Sequence, residues 1–165
     1  MKKFCLSITS AVFLLICLGG IQAQTTQPKL NQVELIKQFL GTWQANVGTD
    51  TVEVWESQLY GNAVIINVSQ VIKGKKSPSY MNNIGFDTRD GKLKGFITNP
   101  DVSYTTWIGL FATEKNFNGD MLDSFNPEKV WGKFEFVFVN PKECTFNFYN
   151  PDGVKTFEYK FSKVK

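Results

Sequence analysis

The chain has 165 residues, with 18 Lys and Arg, 15 Asp and Glu, three cysteines and no histidine. Without imidazole it cannot form Ser-His-Asp or Cys-His nucleophilic pairs, hold haem through a proximal histidine or build the usual zinc sites. The formal net charge of +3 comes without the clustered basic residues typical of nucleic-acid-binding proteins, so no nucleic-acid partner is predicted.

The first 23 residues have the pattern of a secretory signal peptide. Lys2 and Lys3 form a basic head, an apolar run follows from Ala11 to Leu18, and small residues precede Ala23. The run is too short to span a bilayer comfortably and no later segment is long enough, so no transmembrane segment is predicted. We expect cleavage near Ala23 and export of residues 24–165, either to the periplasm or as a secreted protein.

The predicted mature chain is one domain of about 142 residues (165 minus 23), long enough to bury a sizeable core. Cleavage removes two lysines and no acidic residue, which lowers the formal charge to +1 (3 minus 2). Cys144 then remains alone, so no internal disulfide is expected and stability must come from packing. Cys17 raises the alternative of a lipid anchor, but Ile16 before it is larger than lipid-attachment signals prefer.

From Lys29 to Leu40, apolar residues recur at steps of three and four, which predicts one amphipathic helix. Gly41 is placed to end it. The chain then takes up the alternating pattern of strands, and the segment Thr42–Gly48 presents Trp43, Ala45 and Val47 on one face.

Residues 51–70 form the most readable hairpin. The two-residue link Gly61-Asn62 favours a tight turn, because such a turn needs a residue that adopts positive φ. Cross-strand partners share a face, so counting outward from the turn defines the register. On the side predicted to face the interior, the pairs are Leu59 with Val64, Ser57 with Ile66, Trp55 with Val68, and Glu53 with Gln70.

Two further strands, Tyr80–Asp87 and Lys92–Asn99, flank a loop over residues 88–91. Pairing Asp87 with Lys92 predicts an inner face with Phe86 opposite Leu93, Ile84 opposite Gly95, Asn82 opposite Ile97, and Tyr80 opposite Asn99. Gly95 leaves space beside Ile84, which is compatible with a cavity or with a bend.

Residues 102–125 present two competing apolar faces. One contains Trp107, Gly109 and Phe111, and the other contains Ile108, Leu110 and Ala112. We favour the Trp107 face because aromatic side chains fill a wide barrel efficiently. Asn118-Gly119 predicts a turn.

Three strands end the chain, separated by turn-forming stretches at residues 140–142 and 150–153. Phe146 and Phe148 are predicted to face outward, which requires cover from the helix or a β-bulge. Cys144 is predicted to face outward with them. Counting from the turns predicts an inner face of Phe134, Phe136, Phe138, Thr145, Asn147, Tyr149, Phe157, Tyr159 and Phe161.

The pattern as a whole predicts a mainly β fold, with one N-terminal α-helix followed by about ten short strands at the regular spacing typical of barrels. Sequential antiparallel strands with one apolar face close into an up-and-down β-barrel, which leaves no edge unpaired. A barrel of eight or more strands has room inside for a small ligand.

Three short motifs carry a family resemblance: Phe39-Leu40-Gly41-Thr42-Trp43, Thr51-Val52-Glu53-Val54-Trp55-Glu56 and the Tyr60-Gly61 turn. Over about residues 30–165 the chain resembles lipocalin-like domains of the calycin superfamily found in exported bacterial proteins. The resemblance implies that Trp43 closes one end of the barrel as a structural residue. The chain departs from fatty-acid-binding proteins, which have a helical lid after the first strand, and from nitrobindin-like barrels, which bind haem through a C-terminal histidine. No cofactor is expected.

The favoured function is non-enzymatic binding of a small apolar or amphipathic molecule inside the barrel. Glu53 could anchor a polar group of the ligand, act as a general base with a raised pKa, or belong to a structural network at the strand end. No catalytic or metal-binding residue is assigned. The predicted ligand-binding residues are Glu53, Trp55, Gln70, Tyr80, Asn82, Trp107, Phe136 and Tyr159.

Two alternatives remain open. One is a calycin-type enzyme that uses Glu53 with Tyr80 or another tyrosine as acid and base. The other is an exported interaction module with a filled barrel, whose outer residues Phe146 and Phe148 contact a partner. The sequence does not predict the oligomeric state.

Overall fold

The computed structural model describes residues 30–124 and 126–165, so the predicted signal peptide and Lys29 lie outside the described residues. Helix α1 (Gln32–Leu35) is capped by Asn31, whose side chain accepts a hydrogen bond from the Glu34 amide at 3.2 Å. It tightens into a 3-10 turn over Ile36–Phe39, so the helical segment is shorter than predicted. Among the described residues, no helix combines the length and the apolar character needed to traverse a bilayer.

The described residues form ten strands in one closed antiparallel barrel. Each strand pairs with its neighbours in the chain, and the last strand returns to pair with the first. This confirms the predicted up-and-down barrel with a helix before the first strand. The strands are β1 (Gly41–Gly48), β2 (Thr51–Tyr60), β3 (Ala63–Ile72), β4 (Lys75–Asp87), β5 (Lys92–Thr98), β6 (Tyr104–Phe111), β7 (Asn116–Asp123), β8 (Asn126–Asn140), β9 (Glu143–Tyr149) and β10 (Lys155–Lys163).

The first hairpin has the predicted register. Gly61 has a φ of +60°, and the pairs run from Leu59 with Val64 to Glu53 with Gln70 as expected. Leu59, next to the turn, is exposed. The rest of this face points into the barrel, where Glu53, Trp55, Val64, Ile66 and Val68 are buried.

The predicted pairing of β4 with β5 is confirmed from Asp87 with Lys92 to Asn82 with Ile97. Asn99 is not part of this ladder, because β5 ends at Thr98; its side-chain amide instead donates to the Ser103 hydroxyl in the following turn, at 3.0 Å.

The Trp107 face of β6 points inward, as predicted, and Trp107 is buried. Its indole fills the space beside Gly95, where a Cβ atom would lie 1.9 Å from the indole Cε2. Because Gly95 has no side chain, the indole of Trp107 can pack against its backbone.

The turn predicted at Asn118-Gly119 is wrong. Both residues lie inside β7, and the connection from β6 is made by residues 112–115. Gly119 faces the interior, where the Phe134 ring covers it so closely that a Cβ atom would lie 2.2 Å from Cζ. This glycine serves close packing, since it leaves room for a ring that a side chain would displace.

The predicted inner face of β9 is also wrong. A register shift between Phe138 and Asn140 adds a residue to β8, so Phe138 pairs with Cys144. A shift of one residue moves every side chain of a strand to the other face. Cys144, Phe146 and Phe148 consequently point inward, and Thr145, Asn147 and Tyr149 lie on the other face. The predicted inner residues of β10, Phe157, Tyr159 and Phe161, keep their orientation, because Phe157 pairs with Phe148 and Phe161 with Cys144.

The helix closes one end of the barrel. Gln32 bonds to both backbone groups of Phe111, donating to the carbonyl at 3.1 Å and accepting from the amide at 2.7 Å. Trp43 is buried, and its indole N–H donates to the Phe39 carbonyl at 3.0 Å. These contacts seal the end where β6 finishes, in line with the structural role expected for Trp43.

Candidate ligand-binding cavity

The barrel encloses a cavity of about 290 Å³. Its volume is near the lower end of the range for small-molecule sites, roughly 300–1,000 Å³. Most of the wall is aromatic, formed by Phe39, Trp55, Tyr80, Trp107, Phe117, Phe134, Phe136, Phe146, Phe148, Phe157 and Tyr159.

The aromatic rings of the wall support one another. Phe39, from the 3-10 turn, meets the Phe136 ring edge to face at 4.9 Å between centroids. Phe136 also stacks on Phe146 with 4.6 Å between ring centroids, and it meets the Trp55 ring edge to face at 5.6 Å. Offset and edge-to-face contacts of this kind stabilise ring pairs beyond the area that they bury. The rings of the wall are therefore held in place by packing against one another.

Glu53 is the centre of a polar group on this wall. It is 9% exposed, and its Oε1 accepts the indole N–H of Trp55 at 2.7 Å and the hydroxyl of Tyr80 at 3.4 Å. Burial raises the pKa of the Glu53 carboxyl above its ordinary value of 4.5, and the side chains of Trp55, Tyr80 and Gln70 lower it by less. A carboxyl group is thus held in a fixed position against the cavity.

Tyr80 keeps its proton near neutral pH. Burial, and then the negative charge of Glu53, raise the pKa of the Tyr80 phenol well above its ordinary value of 10. The phenol therefore acts as a hydrogen-bond donor to Glu53.

A second polar pair joins β4 and β6 across the inner face of β5. The indole N–H of Trp107 donates to Oδ1 of Asn82 at 3.2 Å. Both indole donors of the cavity, from Trp55 and Trp107, are thus bonded to protein acceptors, and each tryptophan presents its ring to the interior.

The cavity opens at the end of the barrel opposite the helix. Turns of an up-and-down barrel lie at alternate ends, so the turns after β1, β3, β5, β7 and β9 lie away from the helix. Phe157, near the last of these turns, lines the cavity and is 37% exposed. Phe148 and Tyr159 beside it are half-buried. Glu53 is near the same end, close to the start of β2.

The predicted ligand-binding residues meet around this cavity. Seven of the eight line it (8 minus Gln70), namely Glu53, Trp55, Tyr80, Asn82, Trp107, Phe136 and Tyr159. Gln70 is not in the wall, but it pairs with Glu53 across β2 and β3 and helps to lower the pKa of the Glu53 carboxyl. Their role in binding stays a prediction.

Several wall residues were missed from the sequence. The sequence pattern predicts Phe146 and Phe148 on the outside because it gives no sign of the bulge in β8, whereas both residues line the cavity. Phe117 and Met121 lie on β7, where the false turn at Asn118-Gly119 broke the alternation. The aromatic residues of β9 were the signal that could have identified its inner face, since Phe146 and Phe148 occupy alternate positions of the strand.

Within residues 30–124 and 126–165, no three His, Cys, Asp or Glu side chains come together in a way that could hold a metal ion. Cys144 is buried behind the cavity wall, where burial raises the pKa of its thiol to about 12. Neither observation adds a catalytic group to the cavity.

A closed antiparallel barrel preceded by a short helix is consistent with a calycin-like fold. No protein-family model matches the chain, and none of the curated proteins is significantly similar to it in sequence.

Proposed function

We propose that this protein is a non-enzymatic binding protein that holds a small apolar or amphipathic molecule inside its barrel. The observation that supports the proposal is the cavity of about 290 Å³, which has aromatic walls and polar groups gathered around Glu53. Sites for small molecules combine a large apolar surface with a few converging polar groups that orient the ligand. The aromatic wall would supply the affinity, and Glu53 with Asn82 would orient the bound molecule.

The two alternatives have less support. The interaction module relied on Phe146 and Phe148 as outer contact residues, and both line the interior. The enzyme relied on Glu53 and a tyrosine as acid and base. Tyr80 lies 3.4 Å from Glu53, but the raised pKa of its phenol makes it a weak acid near neutral pH.

We further infer that the domain is lipocalin-like and exported. The support is the pattern of a signal peptide at residues 1–23, the Leu40-Gly41-Thr42-Trp43 start and the up-and-down barrel. Expression in a bacterial host followed by fractionation tests export. The expected result is a processed protein outside the cytoplasm whose first residue is Gln24; an unprocessed cytoplasmic protein would contradict it.

The test of binding compares the same substitution on the two faces of β3. Ile66 lines the cavity, whereas Ile65 beside it points outward. In Ile66→Trp the added ring occupies the cavity, and Ile65→Trp adds the same fluorophore outside. Val68→Phe is a second inward variant. Binding is measured with the neutral dye N-phenyl-1-naphthylamine and by native mass spectrometry of protein purified from its own compartment.

The wild type and Ile65→Trp should bind the dye and retain a co-purified small molecule. Both inward variants should lose the dye and the bound mass while keeping a folded β spectrum. A wild type that binds neither dye nor co-purified molecule would refute the proposal, as would inward variants that bind as well as the wild type.

A further inference from the structure

The charge in the cavity is of one sign. Among the described residues that line it, Glu53 carries a formal charge and none is Lys or Arg. Lys76 of β4 bonds to Glu56 on the outer face, at 3.0 Å. Lys94 is likewise held at the surface by Asp87, at 2.7 Å. A bound anion would therefore meet the Glu53 carboxylate with no basic side chain in the wall to balance it, which is costly at a buried site.

The hydrogen-bonding capacity around Glu53 is also uneven. The Trp55 N–H and the Tyr80 O–H donate hydrogen bonds to Glu53, and the Trp107 N–H donates to Asn82. An ionised carboxylate offers about four acceptor positions, whereas Glu53 accepts side-chain hydrogen bonds from Trp55 and Tyr80. At least one acceptor position is left, so this wall is suited to a ligand that donates a hydrogen bond.

The aromatic wall favours positive charge as well. The faces of Phe, Tyr and Trp rings carry partial negative charge and attract cations within about 6 Å of the ring centroid. Trp55, Tyr80 and Tyr159 lie in the same wall as Glu53. A carboxylate among rings attracts a protonated amine by charge, by hydrogen bonding and by contact with the ring faces.

We infer that the ligand is a small hydrophobic amine whose protonated nitrogen bonds to Glu53 and whose apolar body occupies the aromatic part of the cavity. This inference rests on the proposed binding function. The ammonium group supplies the buried carboxylate with the counter-charge that the described cavity wall lacks, and charge-assisted hydrogen bonds are among the strongest in proteins.

Three ligands with the same number of heavy atoms separate charge from shape: 4-phenylbutylamine, 4-phenylbutanol and 3-phenylpropionate. Displacement of N-phenyl-1-naphthylamine from the protein by each ligand is measured at neutral pH. The amine should bind about tenfold more tightly than the alcohol, because both donate a hydrogen bond to the carboxylate but the ammonium group also brings the opposite charge. The carboxylate should bind most weakly.

Glu53→Gln removes the charge and keeps an acceptor oxygen for Trp55, so amine and alcohol should then bind about equally. Glu56→Gln removes an acid from the outer face of the same strand and should leave the preference unchanged. An alcohol or carboxylate that binds the wild type as tightly as the amine would overturn the inference, as would a preference that survives Glu53→Gln. If the dye and all three ligands fail to bind, the proposed function itself is wrong. If Glu53→Gln does not fold, the comparison of the three ligands on the wild type decides alone.

Discussion

The contact between Gly95 and Trp107 predicts that one methyl group will destabilise the barrel. In Gly95→Ala the new Cβ would lie 1.9 Å from Cε2 of the indole and 2.0 Å from Nε1. Ordinary carbon contacts are about 3.5–4.0 Å, so the ring must move by roughly 1.6 Å or more (3.5 minus 1.9). Overpacking of this kind costs about 1–3 kcal/mol. Loss of the 3.2 Å bond to Asn82 adds about 1 kcal/mol.

A small gain opposes this cost, because replacing glycine in a strand is worth about 0.5–1 kcal/mol. The free energy of unfolding should therefore fall by about 1–3 kcal/mol in Gly95→Ala. Gly85 in the adjacent strand is the matched control, since a Cβ there meets no atom within 4 Å. Gly85→Ala should be neutral or stabilising.

Urea unfolding followed by circular dichroism measures both variants, and the double variant Gly95→Ala with Trp107→Leu identifies the cause. If the indole is the obstacle, the alanine should cost at least about 1 kcal/mol less in the Trp107→Leu background. Equal stabilities of Gly95→Ala and Gly85→Ala would refute the reasoning. So would a cost that does not change when Trp107 is replaced.

Three further predictions concern buried polar groups. Burial raises the pKa of Glu53 above 4.5, so the folded protein holds this proton more tightly than the unfolded chain. As the pH rises from the unfolded to the folded pKa of Glu53, the free energy of unfolding relative to Glu53→Gln should therefore fall by about 1.4 kcal/mol per pH unit. Stability curves of the two proteins that stay parallel above pH 4.5 would contradict this. The thiol of Cys144, with a pKa of about 12, should react with iodoacetamide at pH 8 at least about a hundred times more slowly in the native protein than in urea, as measured by peptide mapping; native labelling at the unfolded rate would show that it is accessible. Ser69 is buried with an unpaired hydroxyl, so Ser69→Ala should leave the free energy of unfolding unchanged or raise it by up to about 1 kcal/mol. Ser103→Ala, which removes a hydroxyl that donates to Asp101 at 2.6 Å, should lower it; the reverse order would argue against the assignment.

Register could be predicted wherever a short turn joins two strands with unbroken alternation. Gly61-Asn62 and the loop at residues 88–91 are of this kind, and counting outward from them reaches the right partners. The bulge between Phe138 and Asn140 has no comparable signal, because it depends on how two strands fit together and not on a local residue preference. Because the count from the turns omits that extra residue, it predicts Phe146 on the wrong face.

Glycines opposite large rings were the second obstacle. Asn118-Gly119 has the composition of a turn, yet Gly119 is there to admit the Phe134 ring. Such a contact joins separate strands, and it is visible only when their register is known. Most of the predicted binding residues line the cavity because alternate positions on correctly paired strands share a face. The size of the cavity depends on packing, which alternation does not specify.

The seam between β1 and β10 has a consequence for how the barrel assembles. Every other pairing joins consecutive strands, whose short loops cost little entropy to close. The pairing of β1 with β10 brings Trp43 and Gln44 to Lys163 and Ser162, so it can form only after two segments that are far apart along the chain have come together. Pairings of this kind form slowly. The molecule is expected to assemble as a curling ribbon whose final join shuts the interior away from solvent, and to loosen first along that line.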